Sequence, residues 1–293
     1  MPRLVLLLFV GITATSTASI FIKLSDAPAL IISVYRMVLA SLILAPFAYR
    51  QKVWKVWSRP EIGWLLLSGV FLSLHFAFWI SSLKYTSVAS SVVLVDTHPI
   101  FVGIGSWIFL KERPGTRLII GICLTILGSL VISLGDTSLS QGALMGDGLA
   151  LLGAMTVSGY FLIGRKLRRG QNLLAYIFPV YSTAGVVLVL LAFFFRDPFF
   201  GYTSSNYLLF FLLALIPQLI GHTTFNWALK YIPASLVAIT ILGEPVGSTI
   251  LAFFILGEGL TLWKVSGGIS IFVGILIALW RGTLSEPRSP QSR

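Results

Sequence analysis

The chain alternates long apolar runs with short polar loops, and the runs have the length of membrane-crossing helices. A helix that spans a bilayer needs about 20 mainly apolar residues, because no backbone amide can stay unpaired in hydrocarbon. The pattern therefore predicts an all-α polytopic membrane protein with ten transmembrane helices, five in each half. The ten runs are Leu4–Ile22, Ala29–Tyr49, Ile62–Leu83, Val88–Leu110, Leu118–Leu134, Ala143–Ile163, Leu174–Phe195, Tyr207–Leu229, Ser235–Leu256 and Trp263–Trp280.

The second half of the sequence repeats the first. The segment Leu83–Glu112 returns without a gap as Leu229–Glu258, and the same offset matches Gly121 with Gly267. If each half holds an odd number of crossings, the second copy must lie upside down relative to the first, as in many secondary transporters. The sequence thus predicts two inverted five-helix repeats.

The loops and the tail set the expected boundaries and orientation. The first repeat is expected at residues 1–136, the second at 143–282, and a disordered cytoplasmic tail at 283–293. The net charge is +11, but the basic residues lie in alternate short loops rather than on one soluble face, which argues against a nucleic-acid partner. The positive-inside rule then places both termini in the cytoplasm and the chain in the cytoplasmic membrane.

Several other functions are excluded by residues that the sequence lacks. Cys123 is the only cysteine, so disulfides and thiolate metal sites are not expected. The sequence has no Walker-type Gly-Lys-Ser/Thr loop and no acidic or histidine cluster on a loop. We therefore expect no cofactor, no metal and no enzymatic activity.

Short motifs in both halves resemble a known family. Ser33–Arg36 opens the second run, Leu110–Arg113 ends the fourth, and the second half carries Glu244, Pro245 and Leu256–Glu258. Both halves resemble EamA domains of the drug/metabolite transporter superfamily, over about residues 1–282. The resemblance implies two inverted repeats around a central cavity and alternating access. Members similar to this chain move amino acids, nucleotide-related metabolites, sugars or drugs, often outward.

Two ionisable residues hold equivalent midspan positions. Ionisable groups in hydrocarbon cost a few kcal/mol, so each is a functional candidate. The repeat offset pairs His98 with Glu244, and each directly precedes a proline, Pro99 or Pro245, that interrupts helical hydrogen bonding. We expect both to face the central cavity and to bind a charged substrate group or carry a coupling proton. The alternative is that Glu244 pairs with freed backbone or with Arg36 to hold helices together.

Two further charges accompany this pair. Asp96 lies two residues before His98, about 200° around a helix, so the two are expected to point to different sides. Asp96 is either a proton carrier or a structural partner of Arg36 or of a helix N-terminus. Arg36 holds a position typical of the family, and we expect it mainly to order helix packing.

Runs three and eight concentrate polar and aromatic groups. His75 and Trp79 lie four residues apart on one helix face, and so do His222 and Asn226. This pattern predicts the wall of a binding pocket, while an interfacial anchor is the alternative for Trp79.

The sequence favours a secondary transporter, most simply an exporter, of a small metabolite such as an amino acid. Its partners are then a small-molecule substrate, the lipid bilayer and, as the candidate coupling ion, a proton. An uncoupled facilitator or channel for small polar solutes and a multidrug efflux carrier are the alternatives. The sequence leaves open whether the protein works as a monomer or a homodimer.

Overall fold

The structure is a computed structural model that describes residues 2–83, 85, 91, 94–134, 143–168, 171–257 and 259–279. The predicted tail at 283–293 and Glu258 of the repeat lie outside the described residues.

The described residues form ten helices, as the apolar runs predict. Eight are long and apolar enough to cross a membrane, and two shorter apolar helices lie between them. The helices are α1 Pro2–Lys23, α2 Ala29–Gln51, α3 Arg59–Ser82, α4 His98–Leu110, α5 Thr116–Leu134, α6 Ala143–Arg168, α7 Leu173–Phe194, α8 Ser204–Ala228, α9 in the two segments α9a Ala234–Ile241 and α9b Glu244–Leu256, and α10 Leu262–Leu279.

Helix starts follow local capping chemistry. Glu61 accepts hydrogen bonds from the backbone N–H and hydroxyl of Ser58 at 2.9 and 2.6 Å, which completes a capping box at the start of α3. Asn172 accepts from the Leu174 N–H at the start of α7, and Thr203 accepts from the Asn206 N–H at the start of α8. These side chains satisfy backbone donors that a helix leaves open in its first turn.

Prolines interrupt three helices near the middle of the bundle. Pro99 lies in the first turn of α4, and Pro245 lies in the first turn of α9b, directly after a two-residue break from α9a. Pro217 lies in a π-helical segment of α8 that runs from Ala214 to His222. Each proline lacks the N–H that a continuous α-helix needs, so the backbone changes its pairing at these places.

The two repeats pack as an inverted pair. Gly121 of α5 faces Gly274 of α10, and Gly128 faces Gly267, so residue numbers rise along one helix as they fall along the other. Equivalent helices that cross antiparallel are related by a twofold axis lying in the membrane plane. Other contacts obey the same axis, because α3 packs on α6 as α8 packs on α1, and α4 packs on α6 as α9b packs on α1.

Candidate functional site

A cavity of about 400 Å³ lies between the two repeats. We call the end of the bundle where α1 ends and α2 begins the upper end, and the end where α2 ends and α3 begins the lower end. The lining extends from the middle of the bundle to Lys23, Leu83 and Lys264 near the upper end. The volume falls in the usual range for ligand sites, about 300–1,000 Å³.

Seven of the eight polar or aromatic site residues that the sequence predicts line this cavity. Asn226 is the exception within the described part of the chain. The seven are Arg36, His75, Trp79, Asp96, His98, His222 and Glu244.

The two helix breaks bring equivalent backbone groups to the cavity. Ser158 of α6 donates its hydroxyl to the His98 carbonyl at 3.1 Å, and Ser16 of α1 donates to the Glu244 carbonyl at 3.2 Å. Ser16 and Ser158 are themselves repeat counterparts. The same serine contact therefore fixes both breaks and directs His98 and Glu244, from opposite repeats, toward one space. Pro245 also lines the cavity, whereas Pro99 is buried behind it.

One nitrogen of the Arg36 guanidinium is hydrogen-bonded, and a second is buried without a partner. Its Nε donates to Gln218 Oε1 at 2.8 Å, and its guanidinium lies 4.2 Å from the centre of the Phe76 ring. Among the described residues, the buried Nη1 atom has no hydrogen-bond partner, and the guanidinium forms no ion pair with Glu244 or Asp96. Gln218 of the π-helical segment, rather than a carboxylate, accepts the Arg36 Nε hydrogen bond, while the Glu244 carboxyl lies near enough to interact with the guanidinium through its charge.

Asp96 and His98 both face the cavity, which corrects the expectation that they point to different sides. A turn of about 200° applies only to a continuous helix. Here Asp96 and Thr97 form a turn, and α4 begins only at His98. Asp96 is held by the Ser129 hydroxyl, which donates to Oδ2 at 2.9 Å.

Two histidines of the cavity lining are held through Nδ1 by backbone carbonyls. His98 Nδ1 lies 3.1 Å from the Val95 carbonyl, and His75 Nδ1 lies 3.0 Å from the Gly153 carbonyl. A carbonyl only accepts, so each Nδ1 carries the hydrogen, and in the neutral ring Nε2 is left as an acceptor. The buried Nε2 of His98 lies near the Ala238 backbone without hydrogen-bond geometry to any described group.

Aromatic rings form one wall of the cavity. The rings of His75 and Trp79 stack with their centres 5.9 Å apart, and Phe76 meets the His222 ring edge-on at 5.5 Å. Trp79 is 9% exposed, and its buried Nε1 donor has no partner in the described structure. The ring thus lies inside the protein, which supports the pocket interpretation of Trp79 over an interfacial anchor.

Asn226 lies below the cavity rather than in its wall. Its amide donates to the Tyr160 hydroxyl, to the Tyr181 hydroxyl at 3.3 Å and to the His222 carbonyl at 2.8 Å. Helical spacing places His222 and Asn226 on one face, but the sequence does not show where along that face the cavity ends.

The structure adds lining residues that the sequence pattern does not single out. Ser129 holds Asp96, Lys23 is the last residue of α1, and Lys264 lies in the first turn of α10. Gln218, which holds Arg36, is an amide in an otherwise apolar run beside Pro217. A search for amides in apolar runs could have found it.

The cavity lining combines donor and acceptor groups. Arg36 Nη1, Trp79 Nε1 and His98 Nε2 are buried without a hydrogen-bond partner among the described residues. The carboxyl groups of Asp96 and Glu244 line the same space. Buried polar groups are normally hydrogen-bonded, so this set indicates a ligand that carries both donor and acceptor groups.

A bundle of membrane-crossing helices in two inverted repeats, with charged side chains lining a cavity between them, is typical of multi-pass membrane transporters. The sequence profile of the EamA-like transporter family matches residues 2–134 and 144–280, and the chain belongs to this family, with one EamA domain in each half.

Several relatives match this chain over most of their length. An uncharacterized transporter of Archaeoglobus fulgidus is 26% identical over 285 residues, covering 94% of this chain and 96% of its own. An uncharacterized transporter of Clostridium kluyveri is 28% identical over 250 residues, covering 82% of this chain and 79% of its own. A solved crystal structure with 18% identity superposes with a TM-score of 0.79 over 95% of this chain and 97% of its own, which shows the shared fold.

Proposed function

We propose that this protein is a secondary transporter that exports a small amino-acid-like metabolite across the cytoplasmic membrane by alternating access. The observation that carries the proposal is the cavity between inverted repeats, where equivalent helix breaks place His98 and Glu244 in one space. Inverted repeats around a midspan site are the architecture through which one repeat rocks against the other.

The charge pattern favours a zwitterionic substrate. A carboxylate fits the guanidinium of Arg36 and the indole N–H of Trp79, whose buried donors lack partners in the described structure, and an ammonium group fits the carboxyl groups of Asp96 and Glu244 beside His98. Guanidinium groups bind carboxylates with defined geometry, and an ammonium offers three donors to acceptors around it. The stacked His75 and Trp79 rings provide apolar surface for a side chain.

The alternatives are less well supported. A channel needs a continuous path, whereas buried Tyr160, Tyr176 and Tyr181 fill the bundle below the cavity. A multidrug carrier relies on apolar surface without fixed polar partners, whereas this cavity, although mostly apolar, also holds two carboxyl groups and a guanidinium.

Orientation follows from the loop charges. The lower end carries most basic loop residues, so we place it, with both termini, in the cytoplasm. A proton is the proposed coupling ion, with Glu244 as its proposed carrier, and ten helices in one chain allow a monomer to enclose the site. Fusing a reporter that is active only in the cytoplasm to the C-terminus tests the orientation, and an inactive reporter on a stable fusion contradicts it.

Counterflow in proteoliposomes tests the substrate class. Proteoliposomes that contain the purified protein are loaded with L-phenylalanine or L-leucine. Parallel samples are loaded with one of two matched analogues of each amino acid: the amine that lacks the carboxylate, or the acid that lacks the ammonium. We expect saturable exchange of labelled tracer with amino acids and much weaker exchange with either analogue.

Two results would count against this proposal. Equal exchange of the amine and the amino acid indicates a cation or drug carrier, and non-saturable flux indicates a facilitator. When a cavity carboxyl is changed to an amide, Glu61→Gln is the control protein. The Glu61 side chain caps α3 far from the cavity, and glutamine preserves that cap.

A further inference from the structure

The lower end of the bundle is tied together by one arginine of α6. Arg165 Nε donates to Glu112 Oε1 at 3.0 Å, and Arg165 Nη1 donates to the Leu229 carbonyl at 2.7 Å. Glu112 follows the end of α4, and Leu229 follows the end of α8. One guanidinium therefore joins three elements, and both side chains of the ion pair are mostly buried, with exposures of 8% and 16%.

A second arginine strengthens the same end. Arg168 Nε donates to the Asn226 carbonyl at 3.1 Å, and its Nη1 donates to the Gln171 carbonyl. The last carbonyls of a helix lack intrahelical partners and carry partial negative charge, so α8 ends on two cations that satisfy it. Above them, the Asn226 amide joins the Tyr160 and Tyr181 hydroxyls.

The cavity reaches the upper end of the bundle but not the lower end. The offset that pairs Gly11 with Gly153 pairs Lys23 with Arg165, and the offset of the later helices pairs Leu83 with Leu229. Lys23 and Leu83 line the cavity near the upper end, while their counterparts Arg165 and Leu229 are joined by a hydrogen bond at the lower end, outside the cavity lining. The lower end is therefore the side that must separate if the cavity is to open there.

We propose that the Arg165–Glu112 ion pair, supported by Arg168 on the end of α8, locks the lower end and must break each time the cavity opens to that side. The inference rests on the proposed alternating access, because only a protein that alternates needs a separable contact here. Arg165 and Glu112 act as positioning residues, since neither lines the cavity as described.

The test measures access to the cavity and needs no substrate. In a Cys123→Ser background, Val157→Cys places a thiol in the cavity wall at midspan. Inside-out vesicles expose the lower end, if it is cytoplasmic, to a membrane-impermeant thiol reagent. Losing a hydrogen bond between charged groups shifts an equilibrium roughly tenfold, so we expect Glu112→Gln to raise the labelling rate from this side by about that factor.

Matched variants separate the lock from general loosening. Arg113→Gln removes a neighbouring exposed charge and should leave the labelling rate unchanged. The charge-swapped double variant, Glu112→Arg with Arg165→Glu, restores an opposite-charge pair and should return the labelling rate toward the parent value. Labelling from the upper side confirms in each protein that the thiol is reachable.

The outcomes distinguish the two proposals. Unchanged labelling from the lower side in Glu112→Gln, in protein that labels normally from the upper side, overturns the lock. A rise that Arg113→Gln reproduces also overturns it. Failure to find a substrate affects the proposed function alone, because labelling reports the conformational equilibrium whatever the cargo.

Discussion

Gly121 packs directly against the backbone of Gly274, and the carbonyl of Gly274 lies 2.7 Å from where a Cβ on Gly121 would stand. The contact is nearly reciprocal, because a Cβ on Gly274 would stand 2.8 Å from the Gly121 carbonyl. The repeat makes Gly274 the counterpart of Gly128 and Gly267 the counterpart of Gly121. Without a hydrophobic driving force between helices in lipid, such backbone approach is a main source of helix association.

We therefore expect Gly121→Ala to destabilise the folded protein by about 1–3 kcal/mol, since overpacking forces backbone movement. Thermal unfolding in detergent, followed by loss of the monodisperse peak, measures this. Gly148→Ala is the control, because no atom lies within 4 Å of its Cβ position. That change should be neutral or stabilising, as alanine favours the helix by about 0.5–1 kcal/mol. Equal effects of the two substitutions would contradict the packing argument.

Two buried serines allow the stability contributed by a formed hydrogen bond to be compared with the stability lost to an unsatisfied hydroxyl. Ser129 donates to Asp96, whereas the buried Ser106 hydroxyl has no partner among the described residues. We expect Ser129→Ala to cost about 1–3 kcal/mol, because the buried Asp96 carboxyl loses a hydrogen-bond partner. Ser106→Ala removes an unsatisfied group and should be neutral or stabilising. Thermal shifts of both variants in one detergent decide between these results.

The polar cluster below the cavity should behave as a unit. Asn226→Leu removes the amide that donates to the Tyr160 and Tyr181 hydroxyls, and each stranded buried group costs about 1–3 kcal/mol. Tyr160→Phe removes one of those hydroxyls. Because the two changes share a contact, the double variant should lose less stability than the sum of the single variants. Strict additivity in this double-mutant cycle would show that the contact contributes nothing.

The sequence predicts the helices well because membrane length is a strong constraint. The ten apolar runs end within a few residues of the observed helices wherever the structure describes them. The starts of α4 and α9b can also be predicted, because each helix begins one residue before a proline, Pro99 or Pro245, and a proline lacks the backbone donor that a continuous helix needs. The repeat offset then brings His98 and Glu244 to one cavity without any structure.

The side-chain partners could not be predicted in the same way. Placing Asp96 beside His98 required knowing that the helix stops between them, and a periodicity argument assumes that it continues. Gln218 reaches Arg36 from the π-helical segment of α8, whose register the apolar pattern does not encode. Arg165 follows the apolar run ending at Ile163 and so has the position of a loop charge, but it lies in the last turn of α6, which extends five residues beyond that run. Charge counting predicts an orientation in the membrane but no side-chain partner.

Replacing Arg36 with lysine should impair transport. Its Nε donates to Gln218, and its Nη1 is a second, buried donor without a partner among the described residues, so a single ammonium cannot reproduce both nitrogens with the same geometry. We expect Arg36→Lys to raise the concentration for half-maximal counterflow roughly tenfold, equivalent to one hydrogen bond to a charged group. Arg50→Lys, on the exposed last turn of α2, keeps wild-type kinetics. Wild-type kinetics in Arg36→Lys would assign the guanidinium to helix packing alone.

Glu244 is the residue through which substrate movement is expected to couple to protons, because it is an ionisable carboxyl in the cavity and sits at a helix break. Glu244→Gln keeps the shape of the side chain but cannot exchange a proton with solvent. We expect this variant to retain counterflow exchange, which needs no net driving force, and to lose substrate accumulation driven by an imposed pH gradient. Asp96→Asn is the matched control, since it changes a second cavity carboxyl that has no acidic counterpart in the other repeat. If accumulation survives in Glu244→Gln but is lost in Asp96→Asn, the proton site is Asp96. If Glu244→Gln loses counterflow exchange itself, Glu244 binds substrate rather than carrying the coupling proton.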